Sequence, residues 1–369
     1  MSILPKIPPK NLTEMTREQL GALFTELKQP AFRAKQVYDW IHRQGCRELD
    51  EMTNLPKSLR AVLVDAGYEV GRVHLKQLQV SQDGTRKISV GLNDGGVVET
   101  VLIPMGQDEF TQCISSQVGC ALDCKFCYTG TLGLSRHLTP GEMEDQVLLG
   151  RANLPKGARL SHIVYMGMGE PLHNFDHVVE SIRRISDPDG IGLAQRRITV
   201  STSGLVPAIE KLGRTLSVNL AISLNAADDE TRDRIMPINR RYNLATLIDC
   251  LRRYPLPPRR KMTMEYVMLG GVNDKREDVK NLRRLLHGLP VRVNLIPWNP
   301  FQGPGFERPA EAAVREFQSV LKGAGFPVTV RVTKGLDIDA ACGQLGSRPD
   351  GDGRAEGGLV TIEEGTHHG

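Results

Sequence analysis

Hydrophobic positions along the chain follow two different periods. Over residues 1–70 they recur at three- and four-residue spacing, as in TREQLGALFTELKQ and PAFRAKQVYDWIHRQG, which predicts an N-terminal helical domain with Gly45 ending its second helix. Between residues 75 and 104 they alternate with polar positions, interrupted by two Asp-Gly pairs. Because Asp-Gly is typical of tight hairpin turns, residues 71–108 are predicted to contain a three-stranded antiparallel meander.

From residue 109 to 345, short β-branched runs alternate with longer amphipathic runs. The strand-like runs are TQCISS, SHIVYM, RRITVST, SVNLAIS, MTMEYVML, VRVNLIP and VTVRVT. Repeated β-then-α units imply a parallel sheet with right-handed crossovers. About six units are too few for a closed eight-fold barrel, so we predict an α/β fold with an open, partial (β/α)6 barrel. The glycine-rich, polar segment 346–369 predicts a disordered tail.

Composition narrows the class of protein only modestly. Of 369 residues, 40% are hydrophobic and 24% charged, with a net charge of +4, which is compatible with nucleic acid but too mild to argue for it. Residues 1–60 are enriched in lysine and arginine, so the helical domain is either an RNA-binding domain or a solvated cap. We find neither a signal peptide nor a membrane-length apolar run. The odd number of cysteines, seven, and the clustering of four of them indicate reduced thiols, which predicts a cytoplasmic protein.

Polar or glycine-rich motifs follow five of the strand-like runs. The cysteine cluster follows TQCISS, GMGEP follows SHIVYM, and the motifs STSG, SLN and PWNP follow the next runs. The carboxyl ends of parallel strands meet at one rim, and chemistry in such folds collects there. We therefore expect an active site at this rim.

Three cysteines in the spacing C-x3-C-x2-C form the most specific motif. Cys120, Cys124 and Cys127 stand too close for an ordinary structural zinc site, although His137 could complete one. An iron–sulfur cube takes four cysteinates, so three would leave one iron open. S-adenosylmethionine can fill that position through its amino and carboxylate groups. The motif favours a [4Fe-4S] cluster, with a zinc loop as the alternative.

Several motifs in order carry a resemblance to a known family. The three-cysteine motif marks radical S-adenosylmethionine enzymes, and CISSQVGCALDCKFC, YMGMGEPLHN, TVSTSG, AISLNA, IPWNPF and DIDAACGQL resemble the RlmN family over about residues 15–345. This resemblance implies methylation of adenine C2 in 23S rRNA and tRNA. It also implies two S-adenosylmethionine molecules per turnover, a monomer, and an electron donor such as flavodoxin or ferredoxin.

The same resemblance assigns roles to two further cysteines. Cys342 would accept a methyl group from one S-adenosylmethionine and become S-methylcysteine. A second S-adenosylmethionine, cleaved at the cluster, would give a radical that takes hydrogen from this methyl, and the resulting carbon radical would add to C2. Cys113 would then release the product by forming a disulfide bond with Cys342. By composition alone, either cysteine could be a small core residue.

Glu99 is the expected proton acceptor. It alternates onto the apolar face with Val97 and Val101, and a less polar setting would raise its pKa, as suits a general base. Its spacing to Cys113 is one residue longer than the family pattern, and an edge-strand carboxylate in solvent is the alternative. The resemblance implies seven contacts to S-adenosylmethionine: Gly169, Glu170, Ser201, Ser223, Leu224, Asn225 and Asn299.

Two other functions stay open at this point. A Cfr-like enzyme would methylate C8 of the same rRNA adenine, although the proline of GMGEP favours C2. A zinc-containing RNA-binding module without catalysis is a rival of a different class.

Overall fold

The computed structural model describes residues 10–346 except 72, 302 and 304, so the predicted disordered tail lies outside the described residues beyond Gly346. The N-terminal helices are α1 (Arg17–Glu26), α2 (Phe32–Tyr38), which continues as a π-helix over Asp39–Gln44, and α3 (Lys57–Asp65). Thr16 and Gln19 form a capping box that starts α1. Gly45, with a φ of +73°, ends the second helix, as predicted. These helices bury a core of their own around Phe24, Ile41 and Leu63.

Among the described residues, ten strands form one sheet and two form a small antiparallel pair. In chain order the strands are β1 (His74–Val80), β2 (Arg86–Gly91), β3 (Val97–Gly106), β4 (Glu109–Ile114), β5 (Gln117–Gly119), β6 (Leu134–His137), β7 (Arg159–Tyr165), β8 (Ile198–Thr202), β9 (Asn219–Ser223), β10 (Met262–Met268), β11 (Val291–Pro297) and β12 (Val328–Val330). The large sheet has the order β1-β2-β3-β4-β7-β8-β9-β10-β11-β12, and β5 pairs with β6.

The strands from β4 to β12 in this order are parallel, and the strands from β1 to β4 are antiparallel. The predicted meander is therefore confirmed, and it continues the sheet of the partial barrel through the β3–β4 pairing. Helices lie between the parallel strands: α4 (Tyr128–Thr131), α5 (Pro140–Ala152), α6 (Phe175–Ser186), α7 (Val206–Thr215), α8 (Asp229–Ile235), α9 (Leu244–Arg253), α10 (Arg276–Leu285) and α11 (Glu311–Gly323). The predicted α/β fold with an open (β/α)6 barrel is confirmed.

A β-bulge accounts for the extra residue between Glu99 and Cys113. The β3–β4 register shifts between Pro104 and Gly106, which leaves Met105 without a partner and 62% exposed. Beyond the bulge the pairing is regular, and Val101 stands opposite Cys113. Met105 thus lies near the hairpin tip, away from Glu99 and Cys113.

Each helical segment that crosses between strands buries its apolar face against the sheet. Examples are Val178 and Ile182 of α6, which are fully buried together with Ile163 of β7. This single core fixes the strand ends, and therefore the loops that follow them, in space. Within the described part of the chain, no helix is both long and apolar enough to cross a membrane.

Candidate active site

One cleft lies at the carboxyl ends of the parallel strands, where the motifs were expected to meet. Its volume is about 1010 Å³ including its open mouth. Ten of the predicted site residues line it: Cys120, Cys124, Cys127, Gly169, Glu170, Ser201, Ser223, Asn225, Asn299 and Cys342. Three do not, namely Cys113, Glu99 and Leu224.

The loop with the three cysteines is held by main-chain hydrogen bonds and by close packing. The N–H of Cys120 donates to Gly133 O at 2.8 Å, and that of Lys125 donates to Ile235 O at 3.0 Å. A Cβ at Gly130 would lie 2.9 Å from the carbonyl oxygen of Cys124, so this position requires glycine. Trp298 donates from Nε1 to Phe126 O at 3.0 Å and shields the loop from solvent.

The donor set of this loop is chemically suited to an iron–sulfur cluster. All three thiols line the same cleft beside the apolar side chains of Phe126, Met236 and Trp298. Burial raises the pKa of each thiol, to about 12 for Cys120, and the nearby Cys127 further raises the pKa of both Cys120 and Cys124. Thiolates crowded in an apolar setting need cationic ligands to stay ionised, which a cluster's irons provide.

No mononuclear metal site is preformed in the part of the chain that the structure describes, since no three His, Cys, Asp or Glu side chains there form a ligand set for one ion. His137, the residue that could have completed a zinc loop, lies on β6. Its ring packs against His173, with 5.0 Å between ring centroids, and its Nδ1 faces Gln117. His137 is not among the residues that line the cleft with the thiols.

Glu170 is held inside the loop that follows β7. Its Oε2 accepts hydrogen bonds from the N–H and Oγ of Ser203, at 2.8 and 2.9 Å, and its Oε1 accepts from the N–H of Leu172 at 3.0 Å. Burial raises the pKa of the carboxyl group. The Thr202 side chain also interacts with this carboxyl group and, like the hydrogen bonds from Ser203 and Leu172, opposes the effect of burial on its pKa.

Arg232 connects the ends of β8 and β9 from below the cleft. It is fully buried, and its guanidinium donates to the carbonyl oxygens of Ser203 at 2.7 Å, Leu224 at 3.0 Å and Ser223 at 3.2 Å. Burial lowers its pKa to about 10. The sequence analysis missed this residue, because an arginine in the polar helix DETRDRI gives no signal of burial.

Of two neighbouring residues predicted to contact the ligand, Asn225 lines the cleft and Leu224 does not. Leu224 is fully buried with its N–H donating to Glu265 O at 2.9 Å, so its side chain faces the core. Asn225 adopts a left-handed conformation with φ of +58°, and its Oδ1 accepts from the N–H of Val267 at 2.8 Å. Asn225 lines the cleft while its amide braces the neighbouring strand β10.

The segment that carries Cys342 is tied to the cysteine loop. The N–H of Tyr128 donates to Gly343 O at 2.7 Å, and Thr129 Oγ1 donates to Leu345 O at 2.6 Å. Asn299 donates from Nδ2 to Cys342 O at 3.3 Å. This distal cysteine, 215 residues beyond Cys127 in the chain, therefore stands at the same cleft as the three thiols.

Cys113 and Cys342 meet in a second, smaller cavity next to the cleft. Both line it, together with Asn299 and Arg331, which line the main cleft as well. Burial, together with the charge of Cys342, raises the pKa of Cys113 to about 12. The attraction of Cys342 raises the pKa of Arg331. Arg331 was also missed by the sequence analysis, since it lies in the strand-like run VTVRVT without a recognisable motif.

Glu99 is 4% exposed, as the alternation predicted, but its setting is not apolar. Lys87 Nζ lies 3.4 Å from Oε1, and the N–H of Gly346 donates to Oε2 at 2.8 Å. The edge-strand alternative, with the carboxylate in solvent, is therefore wrong, and β2 in addition places an ammonium group beside the buried carboxylate. Glu99 borders the Cys113–Cys342 cavity through its neighbour Val101, without lining it.

Comparison with known proteins agrees with this geometry. The family model of the Radical SAM superfamily matches residues 114–286, and that of the ribosomal RNA large subunit methyltransferase N-terminal domain matches residues 10–67. A radical SAM methyltransferase from Sphaerobacter thermophilus, whose crystal structure is known, is 42% identical with a TM-score of 0.87, over 91% of this chain and 99% of that chain. The open barrel with a three-thiol loop at its rim thus defines a radical S-adenosylmethionine enzyme.

Two curated relatives place the chain more narrowly. Each carries the name dual-specificity RNA methyltransferase RlmN. The protein from Geobacter sulfurreducens is 49% identical over 86% of this chain and 87% of its own length. The protein from Marinobacter nauticus is 44% identical over 96% of this chain and 97% of its own. The chain belongs to the RlmN family.

Proposed function

We propose that the protein methylates C2 of adenine in 23S rRNA and tRNA by radical S-adenosylmethionine chemistry. The supporting observation is that one cleft brings the three-thiol loop together with Cys342. C2 of adenine is an electron-poor ring carbon without a lone pair, so it cannot simply attack a methyl sulfonium. A thiol within reach of a radical source meets this need, because it can hold the methyl carbon while the carbon is activated.

Cys120, Cys124 and Cys127 would hold a [4Fe-4S] cluster, and the rim residues would hold S-adenosylmethionine. When bound, the cluster supplies an electron that cleaves the sulfonium of S-adenosylmethionine and so provides a carbon radical. The contacts proposed for S-adenosylmethionine are Gly169, Glu170, Ser201, Ser223, Leu224 (through its main chain), Asn225 and Asn299. A second S-adenosylmethionine in each turnover would supply the methyl group to Cys342.

Cys342 would carry the methyl carbon to C2, and Cys113 would release the product. All seven cysteines are free thiols in the structure, so a disulfide bond between these two would be transient. The cavity that Cys113 and Cys342 share supports this pairing. The Arg331 guanidinium nearby would favour the thiolate form of Cys342. The pKa of Cys113 is raised to about 12, so this thiol would be protonated before it reacts with Cys342.

Glu99 would accept the proton from C2. In the structure its Oε2 accepts a hydrogen bond from the N–H of Gly346 at 2.8 Å. A carboxylate has about four acceptor positions, so this bond and the contact with Lys87 leave room for a proton. Lys87 would remain paired with Oε1 and hold the carboxylate in place.

The remaining assignments concern partners and boundaries. Residues 1–70 would bind RNA, 71–108 would form the meander, and 109–345 the catalytic barrel. The electron would come from a small donor such as flavodoxin or ferredoxin, and the protein would act as a cytoplasmic monomer.

The decisive experiment is anaerobic turnover with 23S rRNA and with tRNA, followed by mass spectrometry of the digested nucleosides. We expect 2-methyladenosine from both RNA types. Only 8-methyladenosine would overturn the assignment in favour of a Cfr-like reaction. Colourless protein that contains zinc and gives no product would favour an RNA-binding module.

A further inference from the structure

The side-chain amide of Gln117 links the loop of Glu170 to a pair of histidines. Gln117 is fully buried at the start of the hairpin strand β5. Its Oε1 accepts a hydrogen bond from the N–H of Glu170 at 2.8 Å. Its Nε2 lies 2.9 Å from His137 Nδ1 and 3.3 Å from His173 Nδ1.

These contacts determine the protonation of both imidazole rings. The N–H of Glu170 can only donate, so the amide must present Oε1 to it and Nε2 to the rings. Nε2 can only donate, and therefore Nδ1 of His137 and of His173 must be free of a proton. Both rings are then neutral, with their hydrogen on Nε2. A protonated ring would place two donors against each other.

Other charged groups around the rings favour the neutral forms. The His137 and His173 rings meet nearly at right angles, at 87°. His177 faces His137 and lies with Nδ1 3.0 Å from Leu138 O, while the Arg136 guanidinium donates to His137 O at 3.0 Å. Burial, and then the neighbouring histidines, lower the pKa of His137.

On the carboxylate side, the main-chain N–H of His173 donates to Glu170 O at 3.1 Å, so this ring stands beside the loop that it would control. The nearest carboxylates are already engaged: Glu142 pairs with Arg136, and Glu170 is bound by Ser203. Protonation of His137 is therefore expected only below neutral pH.

The position of Gln117 also restricts the backbone of the loop. Gly169 has a φ of +98°, and a Cβ there would lie 2.5 Å from Gln117 Cβ. The glycine backbone thus packs directly on the Gln117 side chain, and a turned amide would both release the N–H of Glu170 and press against this loop.

We propose that Gln117 is a positioning residue for S-adenosylmethionine and that His137 and His173 make this binding pH-dependent. Protonation of either ring turns the amide away from Glu170, and the loop then loses the shape that holds the amino end of the ligand. The proposal depends on the proposed function, which assigns S-adenosylmethionine to this loop.

The test measures the dissociation constant of S-adenosylmethionine by anaerobic equilibrium dialysis at pH 7.5 and 5.5. The protein carries a reconstituted cluster, whose visible absorbance is checked at both pH values. For the wild type we expect binding to weaken about fivefold at pH 5.5, the effect of one buried hydrogen bond. Titration of S-adenosylmethionine itself affects every variant alike. The quantity to compare between variants is therefore the ratio of the dissociation constants at pH 5.5 and pH 7.5.

The double variant His137→Asn/His173→Asn separates protonation from structure. An asparagine Oδ1 can lie near the position of the histidine Nδ1, and it accepts a hydrogen bond at either pH. The dissociation constant of S-adenosylmethionine for the double variant should therefore change less than twofold between pH 7.5 and 5.5. His287→Asn, at an exposed histidine beyond α10, should keep the wild-type change. Gln117→Met should weaken binding about fivefold already at pH 7.5 and show no further loss at pH 5.5.

Two results would overturn the inference: equal dissociation constants of the wild type at both pH values, or the same pH-dependence in the double variant. Failure of the proposed function would look different. In that case the wild type would not bind S-adenosylmethionine at either pH although its cluster is intact.

Discussion

Replacing Arg184 with methionine should weaken the contact between the N-terminal helical domain and the barrel. Arg184 lies on α6 and is 7% exposed. Its Nη1 donates to Thr13 O and its Nη2 to Glu14 O, each at 2.8 Å. Both acceptors belong to the N-terminal domain, so one guanidinium spans the contact between the two parts. Methionine preserves the apolar stem of the side chain but none of its donors.

The expected magnitude follows from the bonds lost. A hydrogen bond from a charged donor contributes about 1.5–3 kcal/mol, so the two together hold the domain with roughly 3–6 kcal/mol. The third bond of the guanidinium, to Glu180 on the same helix at 3.1 Å, is a half-exposed pair within one helix and adds only about 0.3–0.5 kcal/mol. Local opening of α1 should therefore become two to four orders of magnitude more frequent.

Hydrogen exchange measured by mass spectrometry reports this opening directly, through peptides that cover α1. Arg183→Met is the matched control, because Arg183 is exposed on the same helix and carries the same charge. Its exchange should change by less than about threefold, as for an ordinary surface substitution. If Arg184→Met and Arg183→Met gave the same exchange rates, the reasoning about this contact would be refuted.

Three further predictions concern the proposed chemistry. Cys342→Ala should abolish methylation while leaving the visible spectrum of the cluster unchanged, whereas Cys250→Ala, in the core, should retain turnover; product formed by the Cys342 variant would contradict its role. Cys113→Ala should accumulate protein covalently bound to RNA on a denaturing gel, and clean release of product would exclude it as the resolving thiol. Gly130→Ala should lower the iron bound per protein at least twofold, because its Cβ would meet a loop carbonyl at 2.9 Å. Gly21→Ala, with open space around its Cβ, should bind iron as the wild type does.

The fold and the rim were predictable because they depend on local patterns. Alternating β and α runs specify a parallel sheet, and its carboxyl edge collects whatever follows each strand. The alternation also predicted the burial of Glu99. It could not predict the partner Lys87, because that contact depends on how β2 and β3 are paired, with Ser89 opposite Glu99.

The residues that the sequence did not disclose act through distant contacts. Arg232 and Arg331 carry no motif, and each is recognised only when the fold buries it beside carbonyl groups or thiols. Leu224 was predicted as a contact to S-adenosylmethionine from its place in the motif that ends β9. The pleat of the strand directs its side chain into the core, which the motif alone did not disclose.

The shared strand β4 has a consequence for any attempt to recombine members of this fold. On one side it is antiparallel to β3, which carries Glu99, and on the other it is parallel to β7, which leads to Gly169. A shift of β4 by one residue against either neighbour would turn Cys113 to the opposite face of the sheet. Exchange of the meander between relatives should therefore succeed only if β4 is exchanged together with β1 to β3 and keeps its register against β7.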